Sequence, residues 1–185
     1  MQKIIIFISI CIFLTGCSLF HKDSQGVVPA KAQVRFVSDG KVLDAGRLRK
    51  GGQLLVVPFS PGPDVTASDE VDKVALRIVK GVSDGLRQDG SNIFVLGDTG
   101  AETADFLLEG RIIRQEEPGR MKRWVLRRRW RALAVEAKLI DPKTGQVIAQ
   151  VSHQKSGRGD QASYENLGEK IGQDVGRFLA AQQAF

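Results

Sequence analysis

The chain has 185 residues, with 27 basic and 21 acidic side chains and a formal net charge of +6. That length is enough for one domain with a real hydrophobic core. Only two cysteines occur, Cys11 and Cys17, and both lie near the N-terminus, so a disulfide framework and a thiolate metal set are excluded from the rest of the chain.

Lys3 followed by the apolar run Ile4 to Leu14 reads as a signal segment, too short to span a bilayer as a mature helix. It ends in Leu14-Thr15-Gly16-Cys17, where small residues precede a cysteine. This pattern resembles the lipobox of bacterial lipoproteins. The resemblance implies cleavage after Gly16, acylation of Cys17 and anchoring of the chain to a membrane through those acyl chains. Ser18 follows the cysteine where the enterobacterial inner-membrane retention pattern has aspartate, which implies the outer membrane, periplasmic face. Residues 1–16 are then the signal peptide. Their removal takes away only Lys3, leaving 169 residues with 26 basic against 21 acidic side chains, a surplus of +5. In that compartment nucleic acid is not an expected partner. Anionic lipid, an anionic glycan or an acidic envelope protein suits the charge better.

Residues 17–32 form the lipidated cysteine and a tether. Residues 18–32 have neither helical nor strand period, and their extended reach is roughly 50 Å. The rest, 33–185, is expected to be a single α/β domain. Gln33 to Leu43 alternates around Ser38-Asp39-Gly40, a hairpin signal, either a strand pair added to the domain or an ordered arm. Leu54 to Phe59 is a short buried strand ended by proline. A helix over 69–88 follows, with Val71, Val74, Ala75, Ile78, Val82 and Leu86 on one face and Thr66 or Ser68 available as its cap. Asn92 to Leu96 is the next strand, giving a parallel βαβ unit. A helical turn at 101–104 leads to strands over 105–114, about 124–140 and 146–154. These three are expected to be antiparallel neighbours, with the turn Asp141-Pro142-Lys143-Thr144-Gly145 between the last two. A helix over about 161–182 ends the chain. The fold class is α/β: a mixed sheet of about five strands with helices on at least one face.

Two runs carry a family resemblance. Val56-Val57-Pro58-Phe59, the amphipathic helix and Phe94-Val95 form the first half. Ala104 to Ile112, and Val135 to Ile140 running into the Asp141 turn and Val147-Ile148, form the second. Their order and spacing resemble a superfamily of envelope domains. It includes the N-terminal domain of the Tol translocation protein, the lipoprotein activator of penicillin-binding proteins, the curli secretion lipoprotein and many short uncharacterised proteobacterial lipoproteins. The resemblance covers about residues 54–180. It implies a non-enzymatic accessory protein that binds partners or assembles, without a cofactor. There is no room for the membrane-spanning strands of the curli lipoprotein, so pore formation is not implied.

Chemistry concentrates between Arg120 and Arg131. Arg120, Lys122, Arg123, Arg127, Arg128, Arg129 and Arg131 are basic, and Trp124 and Trp130 are the chain's two tryptophans. Arginine forks bind phosphate or carboxylate, and tryptophan suits membrane interfaces and binding hot spots, so these nine residues are the candidate partner- or anion-binding site. Leu133, Val135, Ala137 and Leu139 share a core-facing strand register that, carried backwards, would put Arg127, Arg129 and Arg131 on the core side. The register is therefore expected to break by a bulge near Arg131, or the segment to leave the sheet as an exposed arm. A solvated basic edge that discourages aggregation is the plainer reading of the same residues.

Gly81 and Gly85, and Gly168, Gly172 and Gly176, repeat every four residues on the two helices. Each costs about 1 kcal/mol against alanine in a helix, so close contact between the helices is expected along these rows. A partner helix or a second copy docking there is the alternative. His153 sits on a strand with no acidic or nucleophilic companion visible in sequence and reads as structural. No catalytic set and no metal set is found. The function expected is an adaptor for an envelope component, with an oligomeric subunit of a secretion or appendage-assembly apparatus as the alternative.

Overall fold

The computed structural model describes residues 36–96, 103–116, 130–159 and 162–183. The elements run in chain order as β1 (Asp39–Val42), α1 (Ala45–Arg49), β2 (Gly52–Val56), β3 (Ser60–Pro61), α2 (Asp69–Gln88), β4 (Ile93–Val95), β5 (Phe106–Glu116), β6 (Trp130–Ile140), β7 (Val147–Arg158) and α3 (Tyr164–Ala181). The fold is α/β: one mixed sheet of seven strands with helices packed on one face. Its order is β1-β7-β6-β5-β2-β4, and β3 continues beside β5 beyond β2.

The βαβ unit forms as the pattern indicates. β2 and β4 pair in parallel through Gly52–Leu54 against Ile93–Val95, with α2 as the crossover. Ser68 caps α2 by accepting the Val71 N–H, and Asp69, Glu70 and Asp72 occupy the first turn at the positive end of the dipole. All six apolar residues of the expected face are buried. β5, β6 and β7 form the antiparallel meander, and β5 also pairs in parallel with β2. The turn from β6 to β7 closes because the Asp141 carboxylate accepts the Lys143 and Thr144 N–H groups while Gly145 takes φ +72°.

The glycine rows do bring the helices together. A methyl group on Gly81 would strike the Glu169 carbonyl, one on Gly172 the Ile78 carbonyl, and one on Gly176 the Val82 carbonyl. The two backbones therefore touch with no side chain between them. Val74, Ile78, Val82, Ile171, Val175, Phe178 and Leu179 then fill the space between this helix pair and the sheet.

Three local expectations are corrected. Ser38-Asp39-Gly40 is not a hairpin turn: Asp39 and Gly40 are part of β1, an edge strand antiparallel to β7. Gly40 is needed there because a side chain would meet the Phe178 ring at 2.7 Å. The strand count is seven, because β1 and the two-residue β3 join the sheet. The short α1 was also not anticipated. It buries Leu48 and is held by Arg47, whose guanidinium lies 4.4 Å from the Phe106 ring centroid and binds Asp141 at 3.3 Å and the Asp105 carbonyl at 3.1 Å.

Candidate functional site

Of the nine residues in the basic site, Trp130 and Arg131 belong to the described structure. Arg120, Lys122, Arg123, Trp124, Arg127, Arg128 and Arg129, like the acylation residue Cys17, lie outside the described residues. The ladder that leads to them is well defined. β5 loses its β2–β3 neighbour at Ile112, yet its pairing with β6 continues to Glu116–Ala132, and β6 pairs with β7 as far as Trp130–Arg158. Three strands thus run on beyond the rest of the sheet, and their end carries Arg114, Glu116, Trp130, Arg131 and Arg158.

The register does not break at Arg131. β6 stays in step with β7 from Trp130 to Leu139, and the bulge lies instead in β5, between Ile112 and Arg114. Arg131 remains on the helix side without becoming an unpaired buried charge, because the first residue of α3 is Tyr164. The guanidinium stacks 4.9 Å from that ring centroid at the margin of the core, half-exposed.

His153 is better connected than the sequence indicated. It is 6% exposed, on the helix side of β7. Its Nε2 lies 2.9 Å from the Asp174 carboxylate on α3, and its Nδ1 lies 3.1 Å from both the backbone nitrogen and the Oγ of Ser38. The Ser38 N–H donates, so Nδ1 accepts and the ring proton sits on Nε2, donating to Asp174. Lys155 binds the same carboxylate at 2.7 Å. Burial by itself pushes the Asp174 carboxyl up. The hydrogen bonds from His153 and Lys155, with the charge of Lys155, outweigh it and hold the group below the ordinary carboxylate range. The three polar groups resemble a nucleophile–base–acid series, yet each hydrogen bond ties one element to another: Ser38 before β1, His153 on β7, Asp174 on α3. Ser38 Oγ is also occupied as acceptor of the Gln154 N–H at 3.2 Å. The arrangement joins the start of β1, the first described strand, to the core. Sequence could not reveal it, because Ser38 and His153 are 115 positions apart.

The opposite face of the sheet has no described element packed over it. A groove of about 640 Å³ crosses it, running from Asp39 and Lys41 on β1 over β7, β6 and β5 to Val57, Pro58 and Ser60. Its flanks are polar: Glu109, Arg111, Glu136, Lys138 and Gln150 are all exposed. Among the described residues no group of three or more His, Cys, Asp or Glu side chains could hold a metal ion, and no helix is long and apolar enough to cross a membrane.

With this architecture in view, solved structures can be compared. PelC from Paraburkholderia phytofirmans, described as a dodecamer, superposes with a TM-score of 0.53 at 13% identity, covering 77% of this chain and 96% of that one. The fold is shared with PelC. Lipoprotein GNA1162 from Neisseria meningitidis is more distant, with a TM-score of 0.43 at 15% identity over 66% of this chain and 94% of that one. A minor lipoprotein from Acinetobacter baumannii gives 0.37 at 12% identity, covering 70% and 90%. No protein-family model and no curated protein matches the chain. The Neisseria and Acinetobacter proteins are both named as lipoproteins.

Proposed function

We propose that this chain is an outer-membrane lipoprotein, anchored through acyl groups on Cys17, whose periplasmic α/β domain docks onto an anionic envelope component. On this reading it belongs among the non-enzymatic envelope domains that its core strands resemble. The observation that carries the docking role is the three-stranded extension of β5, β6 and β7, which leads from the core to the run of arginines and both tryptophans. A solubilising edge has no use for tryptophan, whereas a surface that meets phosphate or carboxylate groups at a membrane boundary uses both residue types. The test is capture from crosslinked cells with the full-length protein and its R127E/R128E/R129E variant. At physiological salt the variant is expected to lose at least tenfold of the recovered partner while melting at the same temperature. Equal recovery would count against the docking role.

A second reading, self-assembly into a larger envelope complex, is favoured by one observation: the solved protein PelC, whose fold this chain shares, is a dodecamer.

A further inference from the structure

The groove on the open sheet face is bordered by two rows of side chains that cross four strands. One row is Glu109, Lys138, Gln150 and Lys41, in register from β5 through β6 and β7 to β1. The other, two residues along each strand, is Arg111, Glu136, Ser152 and Asp39. Between them, on the core-facing register, lie Gly110, Ala137 and Val151, whose backbone forms the floor. In strand order the first row reads negative, positive, neutral, positive. The second reads positive, negative, neutral, negative. Every charge in one row is reversed in the other.

Neighbouring strands need opposite charges only along a row, so cross-strand pairing explains Glu109 beside Lys138 and Arg111 beside Glu136. It does not explain why the rows are mirror opposites. Nor does it explain Lys41 and Asp39, whose ladder partners Gln150 and Ser152 are neutral. All six charged residues are exposed, and none of them forms an ion pair within 4.0 Å with a described residue. A twofold axis laid along the groove exchanges the rows. It sets Glu109 against Arg111 of a second copy, Lys138 against Glu136, Gln150 against Ser152 and Lys41 against Asp39. Val57, 39% exposed at the end of the groove, lies level with the Glu109 row and would face Ser60 of the second copy, which lies level with Arg111.

We propose that the open face of the sheet is a homodimer interface, closed face to face with a second copy of this chain about a twofold axis lying in the groove. Two sheets stacked this way bury the same patch on both partners, as a twofold interface requires. The charges fix the register, and their attraction is screened by salt. This inference rests on the self-assembly reading and names a surface for it.

The test exchanges charges within one row. E109R/K138E keeps opposite neighbours along its own row but makes both facing pairs like-charged. R111E/E136R does the same for the other row. Two differently tagged copies of the full-length chain are co-expressed in a Gram-negative host, extracted in mild detergent and captured by one tag. Wild type is expected to capture itself, and each double variant is expected to lose at least tenfold of self-capture. The two double variants expressed together are expected to regain it, because every facing pair is again opposite. The quadruple variant should also self-capture, which guards against a loss caused by misfolding. Absent self-capture of the wild type would overturn both the face and the self-assembly reading. Wild-type self-capture that survives either double variant, or that is not regained in the mixture or the quadruple variant, would overturn the face alone.

Discussion

Ser38, His153 and Asp174 show how a few polar atoms can hold a chain end to a core. Asp174 keeps a depressed pKa because His153 and Lys155 favour its charged form more than burial penalises it. A carboxylate whose folded pKa lies below its unfolded value, near 4, adds stability that is present above that value and lost as pH falls through the folded pKa. Asp174→Asn should therefore lower the melting temperature at neutral pH, at a cost of about 1–3 kcal/mol for removing a charged partner from a buried network. It should also flatten the loss of stability below pH ~4. Thermal melts of both proteins between pH 3 and 7 check this: parallel curves would refute the role given to the carboxylate. His153 reads as structural from sequence, but its partners Ser38 and Asp174 did not announce themselves, because a hydrogen-bond partner at long separation leaves no local pattern. Arg131 failed differently. A buried guanidinium is costly, but Tyr164, 33 positions away in sequence, offers it a ring at the core's edge.

Among the elements, the helix pair was the most legible. Period, cap and the first-turn acids all agreed on α2, and its observed limits of Asp69 and Gln88 match the expected span. The glycine rows also gave their contact away, since five helix-weakening residues need a compensating approach. Gly172→Ala tests it: alanine's better propensity of about 1 kcal/mol should be outweighed by collision with the Ile78 carbonyl, for a net loss of about 1–3 kcal/mol. Urea unfolding that shows no loss would mean that the helices can part freely. Short elements were not legible. α1 has five residues and β3 two, too few for any period to register, and β1 was disguised by turn-forming residues. Asp39 and Gly40 are extended because Phe178 leaves space only for glycine and β7 supplies a pairing edge. Both causes are tertiary.

At the scale of the whole molecule, the two faces of the sheet are differently composed. One is closed by helices through a continuous apolar cluster; the other presents alternating charge over a shallow groove. The topology was readable for the parallel unit and the meander, because short connections leave few choices. The placement of β1 beyond β7 was not. On the proposed anchoring, Cys17→Ala should abolish incorporation of radiolabelled palmitate and move the chain from the membrane pellet to the soluble fraction. The expected reason is that two or more acyl chains provide the attachment, each buried methylene contributing about 0.8 kcal/mol. Label retained by the alanine variant would rule out Cys17 as the acylated residue.

The position of β1 has a mechanical corollary. It is a four-residue edge strand, and Phe36 to Ser38 are the described residues ahead of it. Tension applied at Phe36 must first strain its stacking on Arg177 and the buried side chain of Val37, then the Ser38 bonds to His153, and then the few rungs that hold Asp39 to Val42 against β7. Arg177 lies on α3, and so does Asp174, which holds His153, so that helix shares the load with β7. Peeling the edge would draw Val37 out of the hydrophobic cluster and uncover Phe178 beneath Gly40, so β1 cannot give way without loosening the interior.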